Sequence, residues 1–116
     1  MQEPVCMVEI QMDYDSIKKD NKYDADRINE YIKYYYGDED GIKLEERDNE
    51  TFFAVCEDEH KFGVFWNLIF GLHRQEWFKK YALRFYFYDY DELSIYGDDY
   101  TPEDIFKELS EIGYCI

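Results

Sequence analysis

Acidic side chains are the most numerous groups in this chain that could bind a ligand, and a metal ion is the first ligand to consider. The sequence has 28 Asp and Glu residues, and hard cations such as Ca²⁺ need several oxygen atoms that converge on one point. Asp89, Asp91 and Glu92 begin like a calcium-binding loop, but apolar residues stand at the third ligand position and where the turn glycine belongs. Residues 57–60 carry suitable side chains at consecutive positions, which seldom converge. We therefore expect no metal site.

The histidines and cysteines lack the neighbours that catalysis requires. Neither His60 nor His73 lies in a pattern typical of a general base. An activated cysteine needs a neighbouring base or a helix N-terminus, whereas Cys6, Cys56 and Cys115 lie in apolar strand or tail segments. The GxSxG, GxGxxG and phosphate-loop motifs are absent. We expect no enzymatic activity and no cofactor, and the odd cysteine count without a CxxC pair predicts reduced thiols in the cytoplasm.

The net charge limits the class of partner. With 13 Lys and Arg residues against 28 Asp and Glu, the formal charge is −15 and the pI is near 4.3. Such a chain repels nucleic acid and anionic membranes and is steered toward basic surfaces. The longest apolar run, 62–72, is too short to span a bilayer. The expected partner is therefore a basic protein, with no direct contact to nucleic acid or membrane.

The acids concentrate in two stretches, 38–59 and 89–104, which we predict to form the partner-binding surface. A charge excess of this size costs stability through self-repulsion, so a selected benefit is expected. The 13 tyrosines agree with this interpretation because interface hot spots are rich in Tyr. The predicted contact residues are Asp38, Glu39, Asp40, Glu45, Glu46, Asp48, Asp89, Asp91, Glu92, Tyr96, Asp98 and Asp99.

These side chains must be positioned by a mixed set of strands and helices. Alternating apolar residues predict strands at 5–14, 42–45, 51–56, 83–88 and 93–96. Apolar residues at helical spacing predict helices at 24–37 and 62–81, and a terminal helix with Thr101 as N-cap and Pro102 in its first turn. Residues 15–22 read as a polar loop, and Asp48-Asn49 as a hairpin turn.

This order of elements predicts one α+β domain over residues 1–116. It matches the ferredoxin-like βαββαβ pattern: an antiparallel sheet with two helices on one face, here with an added C-terminal helix. An exposed edge strand or the aromatic surface would also allow a homodimer.

In size, charge and expected compartment the chain resembles the anti-defence proteins of phages and mobile elements, including anti-CRISPR and antirestriction inhibitors. The resemblance implies an inhibitor that acts as a nucleic-acid mimic and occupies the nucleic-acid-binding surface of a basic protein, such as a nuclease. One alternative is an immunity protein that neutralises a basic nuclease toxin. A further alternative is a small-ligand or enzymatic ferredoxin-like domain, which a pocket with convergent polar groups would favour.

Overall fold

The computed structural model describes residues 5–37, 41–47 and 51–111. Its strands are β1 (Cys6–Met12), β2 (Ile42–Glu46), β3 (Thr51–Cys56), β4 (Ala82–Asp89) and β5 (Glu103–Asp104). Its helices are α1 (Tyr14–Asp20), α2 (Ala25–Gly37), α3 (Phe62–His73), α4 (Glu76–Tyr81), α5 (Tyr90–Tyr96) and α6 (Ile105–Glu111). Short 3₁₀ turns at Glu59–Lys61 and Gly97–Asp99 precede α3 and follow α5.

The strands form one five-stranded sheet in the order β2-β3-β1-β4-β5, and every neighbouring pair is antiparallel. The prediction of a mixed α+β fold is confirmed. β2 and β3 pair as a hairpin, while the predicted turn at Asp48-Asn49 lies outside the described residues. β1 occupies the centre of the sheet, where Val8 lies between Ala54 and Phe87.

One face of the sheet carries the core. Because side chains alternate along a strand, this register places every second residue on the same face. The buried sheet residues of this face are Cys6, Val8, Ile10, Met12, Ile42, Phe52, Ala54, Cys56, Phe85 and Phe87. The helices add Tyr14, Ile17, Ile28, Ile32, Tyr36, Phe65, Ile69, Leu72, Phe78, Tyr81, Ile105 and Leu109 to the same cluster. α5 contributes no buried residue.

The predicted helix at 24–37 agrees with α2. The Asp24 carboxylate accepts hydrogen bonds from the backbone N–H groups of Asp26 and Arg27, as an N-cap does. The buried stripe ends on Tyr36, which is fully buried, rather than on Tyr35, which the spacing favoured.

The segment predicted as a polar loop at 15–22 contains a helix instead. The Asp13 carboxylate accepts hydrogen bonds from the Ser16 backbone N–H and from the Ser16 hydroxyl, which starts α1. Only Tyr14 and Ile17 are buried on this helix. Two apolar residues are too few to produce a recognisable helical period.

The long helix predicted over 62–81 is broken into α3 and α4. The Gln75 backbone is extended, with ψ of 128°, which ends one helix and starts the next. The apolar period continues across this break because Trp77 and Tyr81 keep the helical spacing from His73. Periodicity therefore could not reveal the interruption.

The terminal helix starts later than predicted. Glu103 and Asp104 pair with Phe87 and Tyr86 as the edge strand β5, and the helix begins at Ile105. The N-cap is Asp104 and not Thr101, because the Asp104 carboxylate accepts a hydrogen bond from the Lys107 backbone N–H.

Within the described ranges, no helix has the length and apolar character needed to cross a membrane.

Candidate protein-interaction surface

The second acidic stretch forms a short helix followed by a turn, which we call the acidic helix–turn (residues 90–99). The Asp89 carboxylate starts α5 by accepting hydrogen bonds from the backbone N–H groups of Asp91 and Glu92, at 2.9 and 3.4 Å. Gly97 ends the helix with a φ of 56°, a backbone angle that favours glycine. The predicted strand at 93–96 is therefore wrong, because the cap and Gly97 enclose one helical segment.

The acidic helix–turn is fixed to the sheet at both ends. Asp89 is the last residue of β4, and its backbone N–H donates a hydrogen bond to the Tyr100 hydroxyl at 2.8 Å. The Tyr90 backbone N–H donates to the Val5 carbonyl, and the Tyr90 hydroxyl lies 3.5 Å from the Met7 sulfur. These contacts hold an element that has no core residues of its own.

Five of the predicted contact residues lie together on this element and are exposed: Asp91, Glu92, Tyr96, Asp98 and Asp99. Among them lie two large apolar side chains in solvent, Ile95 at 76% exposure and Tyr96 at 59%. Ile95 was not among the predicted contacts, because these were selected from the acids and from the tyrosines that lie among them. The acidic helix–turn therefore exposes two large apolar side chains and four carboxylates on one short element.

No cation of the described residues pairs with the carboxylates of this surface. The sequence has seven acids and no Lys, Arg or His between Arg84 and Lys107. Within the described residues, none of the carboxylates from Asp89 to Glu108 takes part in an ion pair. The carboxylates here are left to repel one another.

The effect of this crowding is visible in the titration of neighbouring groups. Burial, together with the nearby carboxylates of Glu108, Glu92 and Asp89, raises the pKa of Glu103 above its ordinary value. Burial also raises the pKa of Tyr100, and the same acidic neighbourhood adds to the effect. In both groups desolvation is the larger cause, and the neighbouring carboxylates add to it in the same direction.

The first acidic stretch does not form a comparable surface in the described residues. Glu45 and Glu46 are adjacent in β2 and therefore point to opposite faces. Glu46 pairs with Lys33 at 3.2 Å, and Glu45 lies 4.0 Å from Arg47. The remaining predicted contacts of this stretch lie outside the described residues; they are Asp38, Glu39, Asp40 and Asp48.

The outer face of the sheet carries a polar cluster that the sequence did not indicate. Glu9, only 9% exposed, accepts two hydrogen bonds from the Arg84 guanidinium, at 3.1 and 3.2 Å, and one from the Tyr88 hydroxyl at 2.8 Å. Arg84 also stacks on the Tyr86 ring, 4.6 Å from its centroid. The charges of this cluster are satisfied internally, so it is not a free acidic surface.

Of the five catalytic candidates considered in the sequence, three lie in the core, whereas His60 is exposed and Cys115 lies outside the described residues. Cys6 and Cys56 face each other across β1 and β3 as buried free thiols, and burial raises the pKa of both. His73 is also buried, next to the Phe106 ring. Groups of three or more potential metal ligands are absent from the described ranges.

Comparison of the chain with protein-family models, curated proteins and solved structures returns no match. The functional assignment therefore depends on the geometry of the chain itself. The acidic helix–turn is the described surface that best combines exposed apolar side chains with unpaired charge, and both properties are typical of a protein-binding site.

Proposed function

We propose that this chain is a protein-binding inhibitor whose acidic helix–turn occupies the nucleic-acid-binding surface of a basic protein. The observation that carries this proposal is the exposure of Ile95 and Tyr96 on a short element whose four carboxylates form no ion pair with a described residue. A partner that supplies Lys and Arg residues around an apolar contact would satisfy both features of this surface.

The inhibitory mechanism is steric and electrostatic. Asp91, Glu92, Asp98 and Asp99 pair with cationic side chains that otherwise hold phosphates, and Tyr96 packs at the centre of the contact. The long-range attraction between the acidic chain and a basic partner raises the association rate at low ionic strength. The proposed place of action is the cytoplasm, where nucleic-acid-handling proteins work. The free thiols of the described cysteines agree with a reducing compartment.

We propose that a ferredoxin-like unit supports this surface. The proposal rests on the strand neighbours: β3 lies between β1 and β2, and β4 lies on the other side of β1. In chain order, α2 connects β1 to the β2–β3 hairpin, and α3 with α4 connects the hairpin to β4. The acidic helix–turn, β5 and α6 then follow β4 as additions to this unit.

A capture experiment with two charge-matched variants tests the proposal. The test variant neutralises the surface with Asp91→Asn, Glu92→Gln, Asp98→Asn and Asp99→Asn. The control variant removes the same charge at exposed acids elsewhere that form no ion pair, with Asp15→Asn, Asp26→Asn, Glu30→Gln and Glu76→Gln. Tagged proteins are incubated with host lysate at about 0.1 M salt, and bound proteins are eluted by raising the salt.

The proposal requires three results together. The unmodified chain captures a nucleic-acid-binding protein, nucleic acid competes with the chain for it, and the test variant loses the partner while the control variant retains it. Equal loss in both variants would assign binding to net charge and would refute the role of this surface. A captured nuclease toxin encoded beside this chain would identify an immunity protein instead.

A further inference from the structure

A second surface of the molecule differs in chemistry from the acidic helix–turn. The start of α2 and the side of α4 enclose an open groove of about 470 Å³, which we call the cationic aromatic groove. Its lining residues are Lys22, Tyr23, Asp24, Arg27, Ile28, Tyr31 and Trp77. Its volume lies in the range of small-ligand sites.

Aromatic rings form the walls of this groove. The Tyr31 and Trp77 rings meet edge to face, with centroids 5.4 Å apart, and Tyr31 is 37% exposed. The Tyr35 ring stacks on Tyr31, with centroids 5.5 Å apart, and is not itself a lining residue of the groove. Exposed, supported rings of this kind provide faces on which a planar heteroaromatic group stacks.

Two cations line the same groove, and the Lys22 Nζ lies 5.6 Å from the centroid of the Tyr23 ring. In a chain with a net charge of −15, neither Lys22 nor Arg27 forms an ion pair with a described residue. Asp24 is the carboxylate of the groove, and one of its oxygens is engaged by the backbone N–H groups of Asp26 and Arg27. A Lys and an Arg without carboxylate partners suit a phosphate, which the Arg fork binds through two hydrogen bonds.

We propose that the cationic aromatic groove binds a nucleoside monophosphate, with its base against Tyr31 and Trp77 and its phosphate at Lys22 and Arg27. Charge complementarity between the groove and the phosphate supports this ligand. A single nucleotide fits better than a polymer, because each further phosphate would meet the acidic field of the rest of the chain. This site goes beyond the proposed inhibitor function and shares no residue with the acidic helix–turn.

Magnetic resonance on the isotope-labelled full chain tests this site through the indole N–H signal of Trp77, which is assigned from its loss in Trp77→Phe. Adenosine monophosphate, adenosine and inorganic phosphate are each titrated at about 0.1 M salt. We expect adenosine monophosphate to shift the signal to saturation with a Kd below about 1 mM. Adenosine and phosphate alone should each bind at least about tenfold more weakly than adenosine monophosphate, since each lacks half of the contacts.

Charge variants connect the effect to the groove. Arg27→Gln and Lys22→Gln should each weaken adenosine monophosphate binding about tenfold, while Lys107→Gln, an exposed lysine on α6, should leave it unchanged. Unchanged backbone amide spectra verify that the variants fold. No shift of the Trp77 signal, adenosine binding as tightly as its monophosphate, tighter binding of a single-stranded oligonucleotide, or equal loss in Lys107→Gln would each overturn the proposal.

Discussion

Replacing Asp89 should loosen the acidic helix–turn without unfolding the domain. The Asp89 carboxylate accepts the two backbone hydrogen bonds that start α5, and Asp89→Ala removes both. The hydrogen bond from the Asp89 backbone N–H to Tyr100 is retained, because it does not involve the side chain. The perturbation is therefore the loss of a helix cap alone.

Its magnitude follows from the structure of α5. Loss of an N-cap acceptor typically costs about 1 kcal/mol, which is about a fivefold change in the ratio of formed to frayed helix. α5 has seven residues and buries none of them, so tertiary packing offsets little of this cost. The loss should appear as local opening, with little change in the free energy of global unfolding.

Amide hydrogen exchange provides the assay. Amides in the second half of α5 should exchange about fivefold faster in Asp89→Ala, while core amides of β1 keep their protection. Asp89→Asn supplies the matched control, because Asn is also a good N-cap and retains an acceptor while losing the charge. Equal acceleration in both variants would refute the cap argument and would assign the effect to charge at the helix N-terminus.

Two further predictions concern the outer face of the sheet. A double-mutant cycle on Glu9 and Arg84 in urea unfolding should give a coupling of about 1–2 kcal/mol, because Glu9 is nearly buried and accepts two hydrogen bonds from the guanidinium. The exposed Glu45–Arg47 pair, 4.0 Å apart, should give less than about 0.5 kcal/mol, and equal couplings would contradict the prediction. Burial and the hydrogen bond to Glu9 raise the pKa of Tyr88 to about 12, whereas an unfolded tyrosine ionises near pH 10. The contribution of Tyr88 to the free energy of unfolding is therefore complete below about pH 10 and declines as the pH rises to 12. Tyr88→Phe should flatten the decline of the urea midpoint over this range, and an unchanged slope would show that other groups cause it.

The elements that the sequence predicted well are those whose signals are local and redundant. The helix α2 has a capping Asp24, a regular stripe of Ile28 and Ile32, and a glycine at its end. β1 alternates apolar and polar residues and contains β-branched residues. The structure places it in the centre of the sheet, between β3 and β4. For α2 the cap, period and terminator agreed and the helix was found at nearly the correct position, whereas Thr101 and Pro102 placed the start of α6 too early.

α5 was mistaken for a strand because two local signals disagree. Leu93 and Ile95 alternate with polar and aromatic neighbours, which favours a strand. The spacing from Asp89 to Glu92 is that of a helix N-terminus, with an acid at the cap and a Glu three residues later. This cap signal, followed by Gly97, was the information that could have identified the helix.

Contacts between distant residues left no sequence signal. Glu9 and Arg84 are 75 residues apart, and they meet because the register of β1 with β4 places Arg84 opposite Gln11, next to Glu9 on the same face. The strand β5 is similar, because two residues are too short to show alternation and only their pairing with β4 defines them. Register is a property of the assembled sheet, and one sequence does not encode it locally.

The carboxylates of this acidic chain differ in whether a nearby cation compensates their charge. Carboxylates on the sheet are compensated where cations lie nearby, as in the pairs of Arg84 with Glu9 and Lys43 with Glu57. The segment from Asp89 to Glu108 has no such pair among the described residues. Desolvation raises the pKa of Glu103, and repulsion from Glu108, Glu92 and Asp89 adds to this shift. A cationic surface placed there would remove this repulsion at the same time as it forms new pairs. Among the described parts of the chain, we therefore expect this uncompensated segment to gain from a basic partner.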